Sequence, residues 1–134
     1  MTFLDSNILV YSIDDNSPEK QRKARAIVAS AIGRPGFMVS AQVLNEFANV
    51  ALAKLHLTLE EAGRFVAVFR RMKVVPVDCA WTERALQIKA QYGTQFYDSL
   101  LLAAAEANGC DEFWSEDLND GQLYCGIRAV NPFK

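Results

Sequence analysis

The sequence has few of the residues on which several large classes of enzyme depend. His56 is its only histidine, which excludes a histidine metal cluster and a paired histidine base. Its three cysteines are widely spaced and form no C-x-x-C pair, a pattern typical of buried or idle thiols in a reducing compartment. The sequence also has no G-x-S-x-G motif and no Cys/His pair, so nothing in it points to a protein nucleophile.

Long hydrophobic segments are absent as well. The longest unbroken apolar run covers residues 100–105, whereas a membrane-spanning helix needs roughly 18 or more apolar residues. The first five residues contain no basic stretch, and Asp5 precedes any apolar core, so we expect no secretory signal. These features predict a cytoplasmic protein with no membrane association.

Neither sign of charge is in large excess. Fourteen Lys and Arg residues accompany 16 Asp and Glu residues, for a net charge of −2, which excludes a polybasic protein that coats nucleic acid. Basic residues cluster at 20–25 and at 64–73 and could contact RNA phosphates. Each cluster taken alone is better explained as a solvated helix face.

The sequence does contain enough apolar residues to form a core. With 134 residues, 51% of them hydrophobic, the chain can bury about 68% of its unfolded surface, so disulfides and structural metal are not needed. Short apolar strands are predicted at residues 2–4, 37–39, 74–77, 113–115 and 127–130. Helices are predicted to begin near Ile8, Ser17, Ser40, Thr58, Asp78 and Tyr97. This alternation predicts a single domain, residues 1–134, with an α/β/α sandwich around a mostly parallel sheet.

The hydroxyls of Ser17 and Ser40 are expected to cap their helices, and Thr58-x-x-Glu61 is a capping box. Pro76 indicates that the third strand lies at an edge of the sheet or begins late.

Several acidic residues fall where ligands bind in open α/β sheets, at carboxyl ends of strands and amino ends of helices. Asp5 follows the first predicted strand, Asp117 follows the fourth, and Asp98 lies in the first turn of the last helix. Glu46 lies beside the apolar face of the third helix, so we expect its carboxylate to point inward or along a cleft. Asp120 comes three residues after Asp117.

Carboxylates that converge in this way repel one another and raise one another's pKa unless a cation neutralises them. Oxygen ligands without paired His or Cys favour Mg²⁺ or Mn²⁺, which support phosphodiester chemistry. Each acid also has an ordinary explanation. Asp5 can simply end a strand, Asp98 can favour the helix dipole, and Asp117 can belong to a turn.

Aromatic residues are expected mainly in the core, because Trp81, Trp114 and the phenylalanines fall at helical or strand spacing. Tyr11 and Tyr97 each neighbour an acidic position and could touch RNA. We nevertheless expect both tyrosines to pack in the core.

Four short motifs occur in order along almost the whole chain. They are Asp5-x-Asn7, Leu44-x-Glu46, Tyr97-Asp98 and Ser115-x-Asp117, within the stretches FLDSNILVYSID, QVLNEFANVALAK and YDSLLLAAAEANGCDEFWSEDLNDGQ, followed by a terminal AVNPF. Together they resemble the PIN domain, and specifically the VapC-type toxin ribonucleases of toxin–antitoxin pairs. The resemblance implies the PIN-like α/β fold for the whole chain.

The resemblance also assigns site residues. The positions that match the family's catalytic and metal-binding acids are Asp5, Glu46, Asp98 and Asp117. Asn7 and Ser115 match polar positions that orient the acids or bound waters. Asp120 is left open, because it could replace or assist Asp117 at the metal or could only shape the turn.

The function implied by the resemblance is a Mg²⁺- or Mn²⁺-dependent endoribonuclease that hydrolyses RNA with a metal-activated water. It also implies a homodimer and a cognate antitoxin whose tail fills the acidic cleft. The alternative is a non-catalytic PIN-like module that binds RNA or protein, which the intact acids disfavour. A haloacid dehalogenase-type phosphatase is disfavoured because Asn7 occupies the place of its acidic proton donor. A response-regulator receiver needs a phosphate-accepting Asp at the end of a strand, and it is disfavoured because Ser40 and Ala41 follow the second strand here.

Overall fold

The computed structural model describes all 134 residues and contains six strands and six helices. The strands are β1 (Thr2–Leu4), β2 (Phe37–Ser40), β3 (Lys73–Val75), β4 (Glu112–Trp114), β5 (Leu123–Tyr124) and β6 (Ile127–Val130). The helices are α1 (Ser6–Tyr11), α2 (Pro18–Gly33), α3 (Ala41–Ala53), α4 (Leu59–Phe69), α5 (Ala80–Tyr92) and α6 (Phe96–Ala107). The strands form one sheet in the order β3-β2-β1-β4-β6-β5, in which only β5 and β6 pair antiparallel. The predicted α/β fold with a mostly parallel sheet is therefore confirmed.

The central strands are covered on both faces. Phe3 and Leu4 are consecutive in β1, and Met38 and Val39 are consecutive in β2, yet all four side chains are fully buried. Because successive side chains of a strand point to opposite faces, protein must pack on both sides of the sheet. The sandwich architecture predicted from the sequence follows from this burial.

Helix starts follow local capping chemistry only in part. Thr58 and Glu61 form the predicted capping box at α4, with each side chain accepting a hydrogen bond from the other residue's backbone N–H, at 3.1 and 2.9 Å. The expectation that the Ser17 and Ser40 hydroxyls cap α2 and α3 is wrong, since neither makes a capping hydrogen bond. The Ser40 hydroxyl is instead buried without a partner.

Two element boundaries differ from prediction for local reasons. Helix α1 begins at Ser6 rather than Ile8, because the Asp5 carboxylate accepts the Ser6 N–H and caps the helix. Strand β3 ends at Val75, just before Pro76, and lies at the sheet edge as that proline predicts.

Strand β5 is absent from the sequence-based prediction. It is two residues long and turns back through Cys125 and Gly126, whose φ angles are 54° and 79°. Such a turn usually carries Asn-Gly or Asp-Gly, so a cysteine at its first position gives no recognisable signal.

The core joins the two strands that carry the acidic site. Phe3 of β1 stacks on Phe113 of β4 with ring centroids 5.4 Å apart, inside a cluster of 28 buried residues. Tyr11 packs at the margin of this core, against Phe133. The expectation of a core position for Tyr97 is wrong, because this side chain is 63% exposed. None of the helices combines the length and hydropathy needed to cross a membrane.

Candidate active site

The order of the strands brings the acidic residues together. Strands β1 and β4 are parallel neighbours, so Asp5, which follows β1, and Asp117, which follows β4, emerge at the same edge of the sheet. Asp98 reaches this edge from the first turn of α6. Carboxylate oxygens of these three residues lie within 4.8 Å of one another. We call these three residues the acidic cluster.

Asp5 is the buried member of the acidic cluster, with 3% of its surface exposed. Its Oδ2 accepts hydrogen bonds from the Ser115 hydroxyl at 2.7 Å and the Asn7 amide at 3.3 Å, and its Oδ1 accepts from the Ser6 N–H at 2.6 Å. Burial raises the pKa of Asp5 to about 7, against the opposing effect of the Ser115 bond. The carboxylate is therefore firmly oriented but costly to ionise.

Asn7 connects the two strand ends. Its Nδ2 lies 3.1 Å from both Ser115 Oγ and Asp117 Oδ2, in addition to its bond with Asp5. Ser115 Oγ in turn accepts the Asp117 N–H at 3.0 Å. Asn7 and Ser115 thus lie where the sequence analysis expects them, between the acids that they would orient.

Asp98 and Glu46 are both partly buried. Burial raises the pKa of Asp98 to about 6, and the charge of Asp117 acts in the same direction. Burial likewise raises the pKa of Glu46, with a contribution from the charge of Asp98. Glu46 is not a member of the acidic cluster, and its Oε1 is buried without a hydrogen-bond partner. The structure therefore groups three of the four predicted acids closely and places the fourth beside them.

The donor set fits a hard divalent cation. None of the three ion pairs in the structure involves a residue of the acidic cluster, so no Lys or Arg neutralises these carboxylates. Beside the acidic cluster, Glu46 Oε1 is buried without a hydrogen-bond partner and offers a further oxygen ligand. Ligands of this kind suit Mg²⁺, Mn²⁺ or Ca²⁺ and not a soft metal.

Asp120 lies outside the acidic cluster. Its Oδ1 accepts the backbone N–H of Asn131 at 2.8 Å, which ties the loop after β4 to the segment after β6. Of the two roles that the sequence left open for Asp120, this contact matches the shaping of a turn.

A second polar group next to the acidic cluster has no counterpart in the sequence analysis. Glu116, between Ser115 and Asp117, accepts a hydrogen bond from the Tyr11 hydroxyl at 2.6 Å and forms an ion pair with Lys20 at 3.0 Å. We call Tyr11, Lys20 and Glu116 the Glu116 clamp. Glu116 lies 105 positions from Tyr11 and 96 positions from Lys20 in the chain. The only signal for this group in the sequence is the position of Glu116 between the two site residues Ser115 and Asp117.

Two clefts of about 480 Å³ each open beside the acidic cluster. The first, the Tyr97 cleft, is lined by Gln95, Phe96, Tyr97, Asp98 and Asp117. The second, the Lys54 cleft, is lined by ten residues that include Asn7, Tyr11, Lys54 and Asp117. Asp117 lines both clefts, so both reach the acidic cluster.

The acidic cluster at the carboxyl edge of a mostly parallel sheet defines the chain as an α/β protein with a candidate cation site built from carboxylate oxygens. The chain belongs to the PIN domain family, whose model matches residues 2–119. Among curated proteins, none matches the sequence.

Solved structures of toxins share the fold over nearly the whole chain. A toxin–antitoxin complex from Klebsiella pneumoniae aligns with a TM-score of 0.71 and 19% identity, covering 98% of both chains. A Mycobacterium tuberculosis VapC, described as a sarcin-ricin loop cleaving toxin, aligns at 0.68 and 18%, covering 96% of this chain and 99% of that one. DNA-bound VapBC from Salmonella typhimurium aligns at 0.64 and 18%, covering 98% and 97%. At these identities the likeness shows a common fold.

Proposed function

We propose that this PIN-family protein is a metal-dependent endoribonuclease and the toxin of a toxin–antitoxin pair. The acidic cluster carries the proposal, because three carboxylates without a cationic partner are arranged within 4.8 Å at the ligand-binding edge of the sheet. The fold shared with a VapC that is described as cleaving the sarcin-ricin loop supports RNA as the substrate.

In this proposal Asp5, Asp98 and Asp117 hold Mg²⁺ or Mn²⁺, and Glu46 is a further ligand or proton acceptor through its unpaired Oε1. The bound ion would polarise the scissile phosphate and make water more acidic. Asn7 keeps the carboxylates of Asp5 and Asp117 in fixed positions, so the protein need not reorganise during the reaction.

Water is the proposed nucleophile, since the serine that follows Asp98 is not free to react. Ser99 follows Asp98 directly, but its hydroxyl is buried and donates to the Gln95 carbonyl at 2.8 Å. The same hydroxyl lies 2.6 Å from Thr94 Oγ1. Ser99 therefore stabilises the start of α6, which presents Asp98.

The proposal extends to partners. Toxin–antitoxin complexes from Klebsiella pneumoniae and Salmonella typhimurium share this fold, which supports an antitoxin partner here. An antitoxin segment with a basic side chain would neutralise the unpaired carboxylates of the acidic cluster. We also propose a homodimer of single-domain chains, residues 1–134, acting on RNA in the cytoplasm.

Cleavage of total cellular RNA by the purified protein without antitoxin tests the proposal. The wild type is compared with Asp98→Asn and with Asp78→Asn, each in Mg²⁺, Mn²⁺ and chelator. Asp78 is an exposed aspartate whose only side-chain hydrogen bond is accepted from the Ala80 N–H, and asparagine preserves that acceptor. We expect discrete, metal-dependent fragments from the wild type and Asp78→Asn, and none from Asp98→Asn.

Thermal unfolding provides a second readout that does not require activity. Mn²⁺ at 100 times its dissociation constant should stabilise the wild type by about 2.7 kcal/mol, and Asp98→Asn should lose most of this gain. A wild type without cleavage or Mn²⁺ stabilisation contradicts the enzyme proposal. RNA binding without cleavage would favour the non-catalytic PIN-like module.

A further inference from the structure

We propose that the Tyr97 cleft and the Lys54 cleft form one track for single-stranded RNA. In this track the ring of Tyr97 stacks on an unpaired base and the ammonium group of Lys54 binds a backbone phosphate. The inference rests on the proposed function, and it adds two residues that bind the substrate RNA.

The two clefts share one residue of the acidic cluster. Asp117 lines both of them, and Asp98 lines the Tyr97 cleft while Asn7 lines the Lys54 cleft. Each cleft has a volume of about 480 Å³, within the range of roughly 300–1,000 Å³ that is usual for small-ligand sites. An RNA strand whose scissile phosphate lies at the acidic cluster can therefore reach both clefts.

Tyr97 presents an aromatic ring that the fold does not use. Every residue of α6 from 99 to 105 is buried, whereas Tyr97 is 63% exposed and its hydroxyl makes no hydrogen bond. Phe96 contacts the ring edge to face, with centroids 5.4 Å apart, which limits the motion of the ring. An exposed ring of limited motion beside an acidic site is suited to stacking on a base.

Lys54 supplies a free positive charge in the other cleft. It is exposed, follows the last turn of α3, and takes part in none of the three ion pairs. Lys20, by contrast, is already paired with Glu116 at 3.0 Å. Lys54 is also the one Lys or Arg among the residues that line this cleft, so it can bind a phosphate there without losing an existing partner.

The aromatic ring determines which form of RNA fits. In a duplex the bases stack on one another and their faces are covered, whereas unpaired bases in loops and single strands are free to stack on a side chain. Stacking has little sequence preference, because every base has a flat face. The track therefore selects unpaired RNA rather than a particular base.

Steady-state kinetics on a short unstructured RNA test the assignment. The variants are Tyr97→Leu with Tyr97→Phe as its control, and Lys54→Gln with Lys54→Arg as its control. We expect Tyr97→Leu to raise KM by about 5- to 150-fold with little change in kcat, and Tyr97→Phe to stay near the wild type. Lys54→Gln should reduce the slope of log KM against log salt concentration by about 0.7, and Lys54→Arg should preserve it.

A binding measurement separates this inference from the proposed function. Fluorescence anisotropy in an Asp98→Asn background should show weaker RNA binding for Tyr97→Leu and Lys54→Gln, even if the wild type proves unable to cleave. Normal metal-dependent cleavage with unchanged KM and salt slope in both variants would overturn the track and leave the nuclease intact.

Two further results would also overturn the assignment. A blunt RNA duplex that binds as tightly as the single strand, with the same loss in Tyr97→Leu, would remove the preference for unpaired bases. Variants that weaken only the binding of the antitoxin would assign the clefts to that partner instead.

The side chains of Tyr97 and Lys54 are both exposed, so we expect all four variants to fold. An unchanged midpoint of thermal unfolding checks this expectation.

Discussion

At the residue scale, the ionised carboxylates of the acidic cluster lower the stability of the folded protein when no cation is bound. Asp5 is buried and Asp98 is half-buried, and burial raises the pKa of Asp5 to about 7 and that of Asp98 to about 6. In the unfolded chain both carboxyls lose their protons near pH 4. Between these values the folded state binds more protons than the unfolded state, so a rise in pH favours unfolding.

The metal-free protein should therefore lose stability as the pH rises from about 4 to about 7. Asp98→Asn removes one of these charges, so in chelator at pH 8 we expect its thermal midpoint to exceed that of the wild type by about 4 °C. This corresponds to ~1 kcal/mol after allowance for solvent screening. The difference should vanish near pH 4. Calorimetry across this range checks the sign, and wild-type stability that increases toward pH 7 would contradict it.

At the element scale, the loop after β4 depends on contacts with α1 and α2. Glu116 of the Glu116 clamp accepts hydrogen bonds from Tyr11 at 2.6 Å and from Lys20 at 3.0 Å. The neighbouring Asp117 is exposed and relies on Asn7 and Ser115 for its orientation. We infer that the clamp positions Asp117 without touching the reacting atoms.

Glu116→Gln should therefore weaken Mn²⁺ binding about 10-fold, because residues that orient metal ligands typically contribute this much to affinity. Glu83→Gln, an exposed glutamate on α5, is the charge-matched control and should bind Mn²⁺ normally. Isothermal titration calorimetry measures both affinities. Equal affinities for Glu116→Gln and the wild type would show that the loop holds its shape without the clamp.

At the scale of the whole molecule, the site depends on the centre of the sheet. Phe3 and Phe113 stack across β1 and β4, whose carboxyl ends lead to Asp5 and Asp117. Both rings are fully buried, so neither solvent nor a flexible segment can fill the cavity that removal of one ring would leave. Packing at the core and geometry at the acidic cluster are thus linked through the same two strands.

Phe113→Ala should lower the free energy of unfolding by about 3–5 kcal/mol, since it removes a buried ring and leaves a cavity. Leu86→Ala is the control, because Leu86 is 57% exposed, and it should change stability by less than about 0.5 kcal/mol. Urea unfolding measures both variants. A loss below about 1 kcal/mol for Phe113→Ala would mean that the two strands do not depend on this stack.

The sequence by itself determined features that depend on neighbouring residues. The alternation of apolar strands and helices predicted the α/β class, Pro76 predicted the edge strand, and the Thr58 capping box marked the start of α4. Asp5, Asp98 and Asp117 were predicted to lie together because residues that follow strands, or begin helices, meet at one edge of a parallel sheet.

Only the tertiary structure decided what depends on contacts between distant parts of the chain. It placed Glu46 beside the acidic cluster rather than within it, bonded Asp120 to Asn131, and left Tyr97 exposed. It also joined Glu116 to Tyr11 and Lys20 across about a hundred positions of sequence. Local patterns specify an element and its caps, whereas these distances depend on strand order and on the packing of helices against the sheet.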